Sequence, residues 1–188
     1  RASAFGKVEI MFPMISGVGE MLSARETLDE AKTQLKKRGE AFDPQTPVGC
    51  MIETPAAVTI CDLLADHAYF FSIGTNDLVQ YLLAVDRINN QIAYLYEPHH
   101  PAVIRAVGHV AEVGRKKDVE VSVCGEMAGD PHFTALLMGL GIDEMSVAPP
   151  LIPELKFFAR RFTILEAEKL REEVEQMARP SQILVRIK

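Results

Sequence analysis

The sequence predicts an α/β fold built on a parallel sheet, and three observations lead there. Five short, β-prone apolar runs alternate with longer stretches of helical periodicity, the pattern of successive βα units. The runs are nearly continuous in apolar residues, as expected when helices cover one face of a sheet and a core fills the other. Neither an internal repeat nor a linker interrupts them. Residues 1–188 are therefore expected to form one domain, with 154–188 as a C-terminal helical tail.

The elements follow in order. Val8–Met14 reads as the first strand. Gly17–Arg38 reads as a helix, because Met21, Ala24, Leu28, Ala31 and Leu35 recur at helical spacing with charge between them, and Gly39 supplies a C-terminal stop. Val48–Ile52 is the second strand and Ala56–Ala65 the next helix. Tyr69–Ile73 is the third strand, followed by a helical region around Leu78–Ala84. A loop with Pro98 and Pro101 leads into the helix Ala102–Lys116. Val119–Cys124 is the fourth strand, and Pro131–Leu140 a helix closed by Gly139 and Gly141. Glu144–Val147 is a short fifth strand. After Pro149, Pro150 and Pro153, the tail Glu154–Ala178 is helical. A complete eight-unit barrel takes about 250 residues, so five units fall about three short of one. Arg1 is not a Met and a strand follows it closely, so the chain is expected to be a segment of something longer.

Composition narrows the function. Hydrophobic residues make up 48% of the chain, which excludes a disordered polymer. The net charge of −6, with Lys and Arg scattered among acids, argues against nucleic acid as the main partner, although a local basic pocket can still hold an anionic metabolite. No apolar run approaches the roughly 18 residues that span a bilayer, and Arg1–Lys7 lacks the pattern of a signal peptide. Cys50, Cys61 and Cys124 are odd in number and widely spaced, so they make neither a disulfide framework nor a metal knuckle. The expected compartment is the cytoplasm.

In parallel α/β folds ligands sit at the C-terminal ends of the strands. The second strand ends in Glu53, the third in Gly74-Thr75-Asn76-Asp77 and the fourth in Cys124-Gly125-Glu126. Glu53 and Asp77 lie 24 positions apart, about one βα unit, a spacing that can bring both to one rim. Two carboxylates with water and substrate oxygens are the usual Mg²⁺ set. Helix capping is the competing role, stronger for Asp77 than for Glu53 because Thr54-Pro55 already starts a helix. Gly74 and Thr75 suggest a tight turn whose N–H groups would suit a phosphate, though most such glycines are only turns. Cys50 and Cys61 read as core, whereas Cys124 at the rim is a protonated thiol able to donate. Arg87 can be a surface ion pair or can reach over the rim to an anion. The five histidines form no metal set and read as surface or capping residues, and the eight methionines as core filler.

Three blocks carry a resemblance: Gly49-Cys50-Met51-Ile52-Glu53-Thr54-Pro55-Ala56-Ala57, Phe70-Phe71-Ser72-Ile73-Gly74-Thr75-Asn76-Asp77-Leu78 and Cys124-Gly125-Glu126. They resemble the signature blocks of the phosphoenolpyruvate-utilising enzymes. Ile10-Met11-Phe12-Pro13-Met14, Leu83-Ala84-Val85-Asp86-Arg87 and His100-Pro101-Ala102-Val103 tilt the likeness toward the phosphoenolpyruvate–protein phosphotransferase (enzyme I) branch of the sugar phosphotransferase system. The similarity runs from about Val8 to Pro153. It implies the C-terminal part, about five βα units, of a (β/α)8 TIM barrel. It further implies Mg²⁺ on Glu53 and Asp77, phosphoryl contacts from Asn76, Asp77 and Arg87, and Cys124 as the acid that protonates the enolate to pyruvate. The acceptor would be a histidine on a separate domain, which passes the phosphoryl group to a histidine-containing phosphocarrier protein. A homodimer joined through the barrel is also implied.

Against the family pattern, the first three barrel strands with further arginines and the histidine domain are not in these 188 residues, so the chain alone is expected to have negligible phosphotransfer. Val79 stands where a Thr is common. Rival readings are a pyruvate phosphate dikinase or phosphoenolpyruvate synthase, a Mg²⁺-dependent barrel lyase or aldolase with no use for Cys124, and a non-catalytic dimerisation module favoured by unpaired sheet edges.

Overall fold

A computed structural model describes all residues, Arg1–Lys188. Five strands form one sheet in the order of the chain: β1 (Ile10–Phe12), β2 (Val48–Ile52), β3 (Phe70–Gly74), β4 (Glu120–Cys124) and β5 (Glu144–Met145), every pair parallel. A doubly wound sheet reverses its strand order at a switch point, and this one does not. Right-handed crossovers that always step the same way put every helix on one face, which is the arc of a barrel.

The first helix, α1 (Val18–Lys37), lies at one end of that arc and fully buries only Met21. It closes as expected: Gly39 turns left-handed (φ 70°) and the Glu40 N–H reaches back to the Leu35 carbonyl, satisfying a carbonyl the last turn would leave free. The helix expected at Ala56–Ala65 is broken into α2 (Pro55–Thr59) and α3 (Cys61–Leu64), because Ile60 leaves helical geometry (φ −114°, ψ 21°). Next come α4 (Thr75–Leu83), α5 (Pro101–Lys117), a short α6 (Glu126–Gly129) and α7 (Thr134–Leu140). The segment Pro131–Phe133 is a 3-10 turn leading into α7 rather than part of it.

The tail is three helices rather than one continuous run: α8 (Ile152–Ala159), α9 (Ile164–Glu175) and α10 (Pro180–Ile187). A capping box restarts the chain at α9, with the Thr163 hydroxyl accepting from the Glu166 N–H and the Glu166 carboxylate from the Thr163 N–H. Proline at the first position does the same for α10. Leu170, Val174, Ile183 and Ile187 from these helices join the same apolar cluster as the strands.

That cluster sits between sheet and helices. Cys50, Ile52, Phe71, Ile73, Val121 and Val123 point outward into it with at most 1% exposure. The opposite, inner face departs from the expected second core. Register places Met51, Ser72 and Ser122 side by side there, with Phe70 beside Glu120 and Ser122 beside Glu144. Met11, Phe70, Ser122, Glu120, Glu144 and Ser146 are among the residues around an open cavity of about 280 Å³ on that face. In the closed barrels of this class side chains from all strands fill that space. Here five strands supply part of the lining.

Candidate active site

The strand register builds the site. Ile52 pairs with Ile73 and Ile73 with Val123, so the next residues, Glu53, Gly74 and Cys124, form a row across three neighbouring strand ends. Glu53 and Cys124 come together because nothing stands between them. A Cβ on Gly74 would lie 2.6 Å from Glu53 Oε2, so only glycine leaves room for that carboxylate. The tight-turn role expected of Gly74 is not seen: its φ is −79° and it is the last residue of β3. The left-handed turn lies instead at Gly125 (φ 89°), where a side chain would collide with Thr75 and Asn76.

Glu53 is 3% exposed, and its Oε1 accepts the Met14 N–H at 2.7 Å. Met14 presents that N–H from a left-handed backbone (φ 55°), an uncommon geometry for a residue with a side chain. Burial pushes the carboxyl pKa up; the Met14 bond opposes this, and the neighbouring Asp77 adds to it. Capping is thereby excluded for Glu53, since the Thr54 hydroxyl accepts the Ala57 N–H and caps α2. Asp77 does not cap either: it sits in the first turn of α4, and its Oδ1 lies 3.8 Å from Arg87 Nη2. The side chains of both partners are about one-third exposed.

Arg87 thus reaches the rim from the loop after α4, where the left-handed Ala84 (φ 53°) ends the helix and the Arg87 N–H bonds Gln80 Oε1 at 3.3 Å. Asn76 is held at two points. Its Oδ1 accepts the Glu126 N–H at 2.9 Å, which orients its two amide donors away from that contact, and its carbonyl accepts the Tyr96 hydroxyl at 3.2 Å. The Thr75 hydroxyl donates to the Cys124 carbonyl at 2.6 Å, tying α4 to the end of β4.

The Cys124 thiol is partly exposed and donates to the Ile73 carbonyl at 3.6 Å. Burial raises its pKa, Glu53 and Asp77 raise it further, and the Ser72 hydroxyl partly offsets them. A protonated thiol beside two carboxylates results. Cys50 and Cys61 point into the core and are fully buried, their thiols pushed up to about 12 and about 11. Of the histidines, His100 caps α5 through Nδ1 at 3.1 Å and His132 pairs with Asp130 at 2.7 Å.

The rim therefore gathers Glu53, Asn76, Asp77, Arg87 and Cys124. Met14, Gly125, Glu126 and Tyr96 also shape it and were not singled out as site residues from sequence. Three of these act through backbone groups or a missing side chain, which residue identity does not advertise. Tyr96 had no distinguishing signal, since the same loop carries Ile88, Ile92, Tyr94 and Leu95.

The residues suit a hard divalent cation. Two oxygen donors stand side by side, one of them deeply buried with no basic side chain within ion-pair distance. No group of three or more His, Cys, Asp or Glu side chains is placed to hold a metal ion on its own. Mg²⁺ commonly takes one or two carboxylates and completes its shell with water and substrate oxygens, which matches.

Comparison with known proteins bears on this geometry. The chain covers 100% of its length in an alignment with the phosphoenolpyruvate-protein phosphotransferase of Bacillus subtilis, 40% identical over 188 residues. The protein of the same name from Buchnera aphidicola is 42% identical over 184 residues (98% of this chain), and that from Cupriavidus necator 47% over 156 (83%). The chain spans about a third of the length of these relatives, 33%, 32% and 27% respectively. Among solved structures, a citrate lyase from Burkholderia xenovorans superposes with TM-score 0.57 at 17% identity, covering 95% of this chain and 60% of that one. The citrate lyase beta subunit from M. tuberculosis, complexed with oxaloacetate and magnesium, gives 0.54 at 12%, covering 81% and 61%. At such identities the likeness extends to the fold alone. Residues 1–164 match the family described as PEP-utilising enzyme, PEP-binding domain, and the chain belongs to that family.

Proposed function

We propose that this chain is the phosphoenolpyruvate-binding domain of a phosphoenolpyruvate–protein phosphotransferase of the sugar phosphotransferase system. In this reading 1–188 form one domain, with 154–188 as its helical tail. The observation that carries it is the row Glu53, Gly74, Cys124 with Asp77 of α4 beside Glu53, which sets a carboxylate pair for a cation next to a protonated thiol.

Each residue then has a task. Glu53 and Asp77 would hold Mg²⁺, which when bound supplies positive charge against the substrate's oxygens. Arg87 and the amide donors of Asn76 take the phosphoryl oxygens and orient the group for transfer. The P–O bond to the enol oxygen breaks as a bond forms to a histidine nitrogen outside these residues, leaving the enolate of pyruvate. Cys124 gives its proton to the methylene carbon, making the methyl group, and solvent restores the thiol. A raised thiol pKa suits an acid rather than a nucleophile. A histidine-containing phosphocarrier protein as final acceptor, a homodimer and a cytoplasmic setting complete the proposal. No helix is long and apolar enough to cross a membrane.

Exchange of solvent deuterium into the methyl group of pyruvate tests the Cys124 step in isolation, because it needs no phosphoryl acceptor. Mg²⁺-dependent exchange by the 188-residue chain, lost in Cys124→Ala, is the expected result. Equal exchange by the variant removes Cys124 from the chemistry. Absence of both exchange and Mg²⁺-dependent phosphoenolpyruvate binding sinks the reading.

A further inference from the structure

We infer that Tyr96 is a positioning residue of this site, whose hydroxyl clamps the loop-borne Arg87 to the start of α4 by bridging Arg87 and the Asn76 carbonyl. The inference rests on the phosphoenolpyruvate reading for its functional consequence, and on geometry for the clamp itself.

Arg87 is the one rim residue without a regular element beneath it. It belongs to the stretch from Asp86 to Glu97, which contains only the 3-10 turn Ala93–Leu95. Its own side chain and those of Ile88, Asn89 and Asn90 lie at the surface, with Ile88 82% exposed. A long exposed arginine carries about 2 kcal/mol of rotamer freedom, so a flexible loop alone leaves it poorly placed to meet an anion. Its carboxylate contact, Asp77 at 3.8 Å, is loose and is shared with the cation-binding role proposed for Asp77.

Tyr96 differs from its neighbours. Tyr94 is 76% exposed and Leu95 45%, whereas Tyr96 packs its ring against the apolar core. The ring is thereby anchored at the far end of the same loop, and only its hydroxyl comes back to the rim. That hydroxyl donates to the Asn76 carbonyl at 3.2 Å, and the Arg87 guanidinium lies beside the phenol oxygen. A phenol has one proton to give and lone pairs to accept with, so while donating to Asn76 it is still able to accept from the guanidinium. Burial pushes its pKa up more than the guanidinium pulls it down, which keeps the donor proton in place. The chain from core to Tyr96 to Arg87 and Asn76 thus joins both proposed phosphoryl contacts through one oxygen.

Tyr96→Phe removes that oxygen and keeps the packing. Two measurements on the 188-residue chain judge the clamp. In ¹⁵N NMR, the Arg87 Nε–Hε signal is expected sharp and slowly exchanging in the wild type, and broadened by motion in Tyr96→Phe. An unchanged signal overturns the inference whatever the site binds. In titrations with Mn²⁺ present, phosphoenolpyruvate is expected to bind about 3- to 10-fold more weakly to Tyr96→Phe, the worth of one hydrogen bond. The Mn²⁺ affinity itself stays within about 2-fold, since Glu53 and Asp77 are untouched. The same change in an Arg87→Ala background should cost clearly less than in the wild type, leaving only what Tyr96 does through Asn76, and an undiminished cost overturns the clamp. Equal losses for Mn²⁺ and phosphoenolpyruvate mean that Tyr96 merely holds the rim together, and overturn the clamp. A wild-type chain that binds Mn²⁺ but no phosphoenolpyruvate defeats the proposed function, while the NMR result still decides the clamp.

Discussion

The two faces of the sheet draw alternate residues from the same strands, yet they obey different rules. The outer face carries Cys50, Ile52, Phe71, Ile73, Val121 and Val123, all at or below 1% exposure beneath the helices. The inner face carries Ser72, Ser122, Glu120 and Glu144 around an open cavity. Cysteine shows the contrast most clearly. Cys50 faces outward, sealed and inert, and Cys124 faces inward at the rim beside Glu53 and Asp77. The packed core lies on one face and the proposed chemistry at the upper edge of the other.

The largest test of that division is a pair of truncations one face apart. Phe71→Ala should cost about 3–5 kcal/mol in urea unfolding, because it opens a cavity in a packed core. Ser122→Ala, which removes the hydroxyl bonded to the Phe71 carbonyl at 3.3 Å, should cost no more than about 0.5–1.5 kcal/mol. Comparable losses would mean that the inner face carries as much of the fold as the outer.

Next in size is Glu53→Gln. Removing one carboxylate of the pair should weaken Mn²⁺ binding at least about 10- to 100-fold, the loss seen when even an outer partner of a metal ligand is removed. Thermal stability should hold or rise, since the amide keeps an acceptor for Met14 and relieves a buried charge next to Asp77. A fall in stability with cation affinity intact would make Glu53 a structural residue.

Alkaline pH gives a smaller effect. The Cys50 and Cys61 thiols are raised in the folded chain, to about 12 and about 11 from an ordinary 9.0. Above pH 9 the unfolded chain ionises first, so their contribution is whole below that pH and drains as pH climbs toward the folded values. The urea midpoint should fall over this range, and Cys50→Ala should flatten the fall. The mildest test is alkylation of the native chain. Iodoacetamide should label Cys124 alone, slowly at neutral pH and faster as pH rises past the ordinary thiol value, and urea should expose Cys50 and Cys61.

Much of this was legible in the sequence, and the parts that were not share a cause. β2 was delimited to the residue, because Val48–Ile52 is an unbroken apolar run between turn signals. The break between α8 and α9 had a signal in Thr163 and Glu166, three positions apart, but alternating charge over the tail masked it. Ile60 offers no breaker chemistry, so the split between α2 and α3 had no local mark.

Sequence alone determined the alternation of strands and helices, the strand ends that carry Glu53, Asp77 and Cys124, and the likeness to a family. These depend on local propensity and on which residues occupy positions before a turn. Only the tertiary structure decided that Gly74 makes room for the Glu53 carboxylate, that Met14 turns its N–H toward it, and that Tyr96 brings its hydroxyl to the Asn76 carbonyl. Those contacts join residues 20 to 39 positions apart, through backbone atoms and empty space as much as through side chains. Their energies depend on distance and burial, which strand register sets and no local stretch of sequence contains.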